Sequence, residues 1–187
     1  LRSSGGVLLI GHRGGPTRDY PENAMETFER TLKGGTRGME IDIATTRDGV
    51  LTLMHDDDLD RTSTGQGLVS DHTWDEISKL KLETYSKATA FSPPKLEDVL
   101  AWAVKNNVIL ELDKKKSTSF DPVIAAVRAA KAEGLRVTCE CTPQHLVLTD
   151  ASCAGFDPVF KMNPPLRAEQ DRQARGVLHA TACGSRA

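Results

Sequence analysis

Gly38-Met39-Glu40-Ile41-Asp42-Ile43, followed at a short distance by Val50-Leu51-Thr52-Leu53-Met54-His55-Asp56, decides how this chain of 187 residues is read. In both runs apolar residues alternate with others at period two and then give way to charge, the pattern of strands whose C-terminal ends open into a polar site. Glu40 and Asp42 therefore share one strand face. Two carboxylates so placed repel each other unless positive charge lies between them, and a hard divalent cation is the commonest such charge. His55, closing the next strand, is expected beside them. A solvent-facing edge strand is the alternative, but it fits poorly with acids bracketed by Met39, Ile41 and Ile43.

Working outward, Val7 to Ile10 is an apolar run that ends in Gly11-His12-Arg13-Gly14-Gly15-Pro16, a strand delivering His12 and Arg13 into a glycine-flanked turn. Pro21-Glu22-Asn23 precedes a helical pattern from Ala24 to Lys33 that stops at Gly34-Gly35, and with the Glu40/Asp42 strand this makes a βαβ unit. Arg47-Asp48-Gly49 is a tight connection to the His55 strand. A long polar excursion then runs from Asp56 to Pro94 and holds one short helix over Thr73 to Leu80. Lys95 to Asn106 reads as an amphipathic helix, and Val108 to Lys115 as a strand with Glu111, Asp113 and Lys115 on one face. Asp121-Pro122 opens an Ala- and Val-rich helix that ends near Gly134, and Leu135 to Cys141 is a fifth strand. Beyond Thr142 the regularity fades, with Arg167 to Gly176 weakly helical. Alternation of strand and helix, with charge gathered at strand C-termini, predicts an α/β fold: a partial (β/α) TIM-type barrel of about five parallel strands with an atypical C-terminal segment. An open doubly wound sheet is the runner-up.

The composition is that of an ordinary soluble domain, 39% hydrophobic and 27% charged, with a net charge of −2. That balance argues against a nucleic-acid or anionic-membrane partner, which needs a basic excess, and favours a small substrate. The Leu8-Leu9-Ile10 run is too short to span a membrane and carries no leader pattern, so a cytoplasmic protein is expected. Cys139, Cys141, Cys153 and Cys183 lack metal-site spacing and are read as reduced thiols without a chemical role. His72, at the start of the excursion helix, is read as structural.

Gly11-His12-Arg13-Gly14-Gly15, Pro21-Glu22-Asn23, Met39-Glu40-Ile41-Asp42, Asp48-Gly49, His55-Asp56 and Asp60-Arg61-Thr62 stand in the order and spacing of one family. From about Val7 to about Glu133 the chain resembles the glycerophosphodiester phosphodiesterases. The resemblance implies a TIM barrel that uses a divalent metal, calcium or magnesium, to hydrolyse a small phosphodiester to an alcohol and glycerol 3-phosphate. It also implies that Glu40 and Asp42 are metal ligands, that His12 and His55 are general acid and base, and that Arg13 binds phosphate. The acid and lysine of a later strand in that family match Asp113 and Lys115, with Glu111 as the other candidate for the acid. The chemistry agrees with these assignments. An anionic diester needs positive charge on its non-bridging oxygens and a proton donor and acceptor on opposite sides of phosphorus.

Residues 134–175 resemble instead a middle segment of dihydroorotase, through Leu135 to Leu146, Leu148-Thr149-Asp150 and Phe160 to Arg167. Gln144 stands where that family has a metal-binding histidine, and its first-strand His-x-His pair is absent, so dihydroorotase activity is not expected. The expected organisation is a half barrel over residues 1–133 and a second segment over 134–187, packed as one domain in a chimera. Two functions stay open: a metal-dependent phosphodiesterase, weakened or lost because the barrel is incomplete, and a non-catalytic chimera. Five strands cannot close a barrel, which predicts a homo-oligomer covering the open edges.

Overall fold

The computed structural model describes residues 9–85, 87–115, 117–135, 149–154, 168–170 and 173. The chain divides into two compact units, Leu1–Val137 and Thr138–Ala187. In the first, strand β1 (Ile10–Gly11) pairs in parallel with β2 (Gly38–Thr45), and β2 pairs in parallel with β6 (Ile109–Lys114) on its other side. Helices α1 (Met25–Lys33), α3 (Leu96–Asn106) and α4 (Phe120–Ala132) follow these three strands. This is the α/β, partial (β/α) TIM-type barrel that the alternation of elements predicts.

The Val50 to His55 run is a different kind of strand. Only Leu51–Leu53 is regular (β3), and it lies antiparallel on the C-terminal end of β2, with Ile43 opposite Leu53 and Thr45 opposite Leu51. The physical reason is length: a parallel crossover needs a dozen or more residues, and the Thr46–Val50 connection allows only a hairpin. Its turn is closed by the Gly49 N–H donating to Thr46 O at 3.0 Å. Turning back in this way, the chain sets the Met54 N–H on Asp42 O at 3.1 Å, so His55 returns to the level of the acids. Of the expected fifth strand, only Leu135 lies within the described residues.

Packing explains the alternation in β2. Met39, Ile41 and Ile43 are fully buried against Phe28 of α1, Leu96, Val99 and Ala103 of α3, and Val123 and Val127 of α4. Each such aliphatic side chain contributes about 1.5–3 kcal/mol by leaving water. The helices begin and end where local chemistry says they should: Ser119 Oγ caps α4 by accepting the Asp121 N–H, and Asn107 ends α3 in the left-handed region at φ 53°. The excursion from Asp56 to Pro94 has a core of its own, in which Met54, Leu59, Val69, Ile77 and Leu82 pack against Ala44 on the opposite face of β2. Helix α2 (Trp74–Ile77) there carries a full capping box from Thr73 and Glu76. The excursion also holds a small hairpin, β4 (Glu83–Thr84) with β5 (Lys87–Ala88), too short for periodicity to reveal. His72 keeps its structural reading, donating from Nε2 to Gln66 O at 3.0 Å.

Gly14 is the tightest point between β1 and α1. It sits at φ 82°, and a Cβ there would lie 2.3 Å from Cε1 of buried Phe28, whereas Gly35, at φ 93°, has open space around it. Gly35→Ala is therefore expected to cost only the left-handed backbone term, about 1 kcal/mol, while Gly14→Ala adds overpacking and should cost about 2–5 kcal/mol. Urea unfolding midpoints of the two variants check this, and equal losses would contradict the close contact.

Candidate functional site

Three carboxylates meet at the C-terminal ends of the parallel strands. Glu40 and Asp42 project from the same face of β2, and the parallel register sets Asp113 of β6 directly beside Asp42. Each of the three offers an oxygen within 4.8 Å of the others. Glu111, the other candidate, pairs with Glu40 in the ladder, two residues farther from the strand end, and its carboxylate is not in the group. Lys115 leaves β6 just after Lys114 and places its ammonium 2.5 Å from Asp42 Oδ1 and 3.0 Å from Asp113 Oδ2. Burial pushes its pKa down, but these two acids outweigh that and the net shift is upward. The opposite holds at Glu40. Burial first, and then the nearby charges of Asp42 and Asp113, raise its pKa against the hydrogen bond it accepts from the Arg13 N–H at 2.7 Å. An all-oxygen, crowded and net-negative donor set of this kind fits a hard divalent cation.

The turn after β1 is shaped to serve that group. Arg13 lies in the left-handed region at φ 52° and ψ 32°, as does Asn23 at φ 57°, conformations that a non-glycine residue keeps only when its surroundings hold it there. What holds them is each other, because the Asn23 N–H donates to Arg13 O at 3.0 Å. The buried Asn23 side chain then clamps Asp42 from both sides: Nδ2 donates to Asp42 Oδ2 at 2.7 Å, and the Asp42 N–H donates to Asn23 Oδ1 at 3.1 Å. His12, on the same turn, is exposed.

Around His55 the side chains form a closed ring. Arg13 Nη1 donates to both oxygens of Glu22, at 3.0 and 3.3 Å, and Arg61 holds the same carboxylate through Nη2 at 2.8 Å and Nη1 at 3.2 Å. Arg61 Nε donates to Asp56 Oδ2 at 2.5 Å, Asp56 Oδ1 meets His55 Nδ1 at 2.5 Å, and His55 Nε2 meets Arg13 Nη2 at 2.6 Å. Burial raises the pKa of Glu22, but the hydrogen bonds from Arg61 and Arg13 more than reverse this. The Arg13 Nε–H is the buried side-chain polar atom left without a partner among the described residues. Such an orphan donor costs about 1–3 kcal/mol, and with the left-handed backbone it marks Arg13 as a residue held in place at the expense of stability. Glu22 and Arg61 also line a cleft of about 350 Å³ with Tyr20, Glu83 and Tyr85.

The structure thus gathers Glu40, Asp42, Asp113 and Lys115 into one group, ties Arg13 to it through the backbone, and connects Arg13 to His55. Asn23, Glu22, Asp56 and Arg61 are part of the arrangement although sequence reasoning gave them no role. Their signal was the run of short motifs in which they sit, without any hint of which side chains meet.

The glycerophosphoryl diester phosphodiesterase family model matches residues 12–137. Over 74 residues the chain is 44% identical to the glycerophosphodiester phosphodiesterase of Caldanaerobacter subterraneus subsp. tengcongensis, covering 40% of this chain and 30% of that protein. A crystal structure of a glycerophosphoryl diester phosphodiesterase from Parabacteroides distasonis superposes with a TM-score of 0.64 at 36% identity, covering 91% of this chain and 59% of that one. The dihydroorotase of Thermus aquaticus is 41% identical over 86 residues, covering 45% of this chain and 20% of the enzyme. That share of this chain is larger than residues 134–187 supply by themselves. The chain spans less than half the length of the known proteins it first matches.

Arg61 first, and His55 after it, hold the Asp56 carboxyl down at about 2 against the opposing effect of burial. The folded value lies below the ordinary 3.8, so this carboxylate stabilises the fold above that pH, and the contribution disappears as pH falls through about 2. With solvent screening of a surface network allowed for, about 1 kcal/mol is at stake. Asp56→Asn should therefore show a shallower fall in stability between pH 4 and 2 than the wild type, measured by urea unfolding across that range, and parallel curves would contradict the pairing.

Proposed function

Because the chain belongs to the glycerophosphoryl diester phosphodiesterase family, we propose that it hydrolyses small glycerophosphodiesters to an alcohol and glycerol 3-phosphate. The observation that supports this most is the meeting of an acid group, two cationic side chains and a hydrogen-bonded histidine at the open ends of the parallel strands. In this reading Glu40, Asp42 and Asp113 hold a calcium or magnesium ion. Such an ion, when bound, polarises the phosphoryl oxygen as a Lewis acid.

The remaining work falls to the chain's own groups. Arg13 and Lys115 offer positive charge to the non-bridging oxygens, where negative charge grows as the phosphorus centre is attacked. His12 and His55 divide the proton transfer, one accepting from the attacking water and the other donating to the departing alcohol. Asn23 holds Asp42 with both oxygens facing fixed partners, so the acid group is organised before any ligand arrives.

The dihydroorotase match supports a second reading, in which the chain is a chimera joining a half barrel to a segment of another family and catalyses nothing. Hydrolysis of a simple glycerophosphodiester separates the two, and calorimetry with calcium and magnesium chloride tests the metal site by itself. The wild type is expected to bind one cation, and the Glu40→Gln/Asp42→Asn double variant to bind none; equal heats sink the metal site. Hydrolysis of a simple glycerophosphodiester should fall by about 10²–10⁴ in both His12→Ala and His55→Ala. Activity that survives both changes belongs to a contaminant.

We also propose that two or more copies associate, since Leu9, just before β1, and Ile10 within it are 64% and 42% exposed, and the described residues form a sheet of four strands, too few to close a barrel. Light scattering at low micromolar concentration should return at least twice the chain mass, and a mass of 20.3 kDa contradicts it.

A further inference from the structure

We infer that Arg61 is a positioning residue which, by gripping Asp56 and Glu22 together, holds the His55 ring in its Nδ1–H tautomer with Nε2 as the accepting nitrogen. The assignment of the proton follows by elimination. A guanidinium can only donate, so His55 Nε2, 2.6 Å from Arg13 Nη2, must accept. The ring proton is then on Nδ1, where Asp56 Oδ1 receives it at 2.5 Å. Asp56 can serve one histidine nitrogen in a fixed direction only if its second oxygen is held as well, and that oxygen is the one Arg61 Nε takes.

Arg61 acts on the other ring nitrogen too, at one remove. Its two terminal nitrogens grip Glu22 in a bidentate pair, and Glu22 in turn receives Arg13 Nη1, leaving Arg13 Nη2 directed at His55. Both nitrogens of His55 are thus set by groups that meet on one guanidinium. A lysine could bind either carboxylate as a point charge but could not present the planar fork that spans both.

An isolated exposed ion pair contributes little, and Arg61 is half exposed. Two features set it apart from that case. The carboxylates it grips are themselves largely buried, with Glu22 15% and Asp56 24% exposed. Its backbone is also carried on a fixed platform: Leu59 and Thr62 on either side are buried, the Thr62 hydroxyl donates to Met54 Sδ, and Thr62 O receives the Glu83 N–H at 2.8 Å. The excursion that follows His55 therefore folds back to deliver one side chain to the acid beside that histidine. The Asp60-Arg61-Thr62 motif acquires a physical purpose.

The consequence for hydrolysis rests on the function proposed above, but the tautomer itself does not, and the test keeps the two apart. Imidazole nitrogen–proton correlation spectra at about pH 8.5, where an ordinary histidine has lost its charge, distinguish a protonated from an unprotonated ring nitrogen at each position. The His55 signals are assigned by their loss in His55→Gln. In the wild type, His55 is expected in the Nδ1–H form. In Arg61→Met the Nε2–H form, which a free imidazole favours, should become populated, with Arg61→Lys intermediate. Glu22→Gln, which weakens the carboxylate that Arg61 and Arg13 share and leaves the Asp56 grip in place, provides a milder change should Arg61→Met unfold. A wild-type His55 in the Nε2–H form, or a tautomer that neither Arg61→Met nor Glu22→Gln moves, overturns the proposal. Where hydrolysis is measurable, kcat should drop roughly ten- to a hundredfold in Arg61→Met with KM little changed. A loss of kcat without a change of tautomer also overturns it. If the wild type proves inactive, the spectra still decide, and the failure falls on the proposed phosphodiesterase activity alone.

Discussion

Like charge is the constraint on which the rest of this partial barrel depends. Glu40, Asp42 and Asp113 are brought together because parallel pairing of β2 with β6 leaves no freedom at the strand ends, and their mutual repulsion has to be met by positive charge or by hydrogen-bond donors. The chain supplies both from its own sequence: Lys115 against Asp42 and Asp113, the Arg13 N–H against Glu40, and the Asn23 amide against Asp42. The strained turn at Arg13 and the left-handed Asn23 are local costs of putting those donors in place. They are affordable because Met39, Ile41 and Ile43 bury the other face of the same strand beneath three helices.

A second charged arrangement grows from the first through Arg13. Its backbone serves the acid group, and its guanidinium belongs to the ring that runs through Glu22, Arg61, Asp56 and His55. One residue therefore connects the place suited to a cation with the histidine suited to move a proton. The excursion between Asp56 and Pro94 matters for the same reason. It has its own small core against Ala44, so Arg61 is carried on a packed segment.

Much of this was legible in the sequence where the signal is local. Alternation in Gly38–Ile43 identified β2, the helix from Ala24 stops at Gly34-Gly35 as the turn chemistry dictates, and Arg47-Asp48-Gly49 marked the tight connection after β2, although counting the next strand among the parallel ones missed its antiparallel direction. The β4–β5 pair escaped notice because two-residue strands have no period, and the choice between Glu111 and Asp113 stayed open because both lie on one face of the same strand.

By itself, then, the sequence determined which residues could carry chemistry and which elements they sit on, since side-chain periodicity, caps and turns are properties of neighbouring residues. The tertiary structure alone decided which of those residues meet. Parallel register, not spacing, puts Asp113 rather than Glu111 beside Asp42. The return of the chain through a hairpin and an excursion closes Arg13, Glu22, His55, Asp56 and Arg61 into one ring across separations of up to 42 residues. Nor does any local pattern state which nitrogen of His55 carries the proton, because that is fixed by donors and acceptors that only the folded chain assembles.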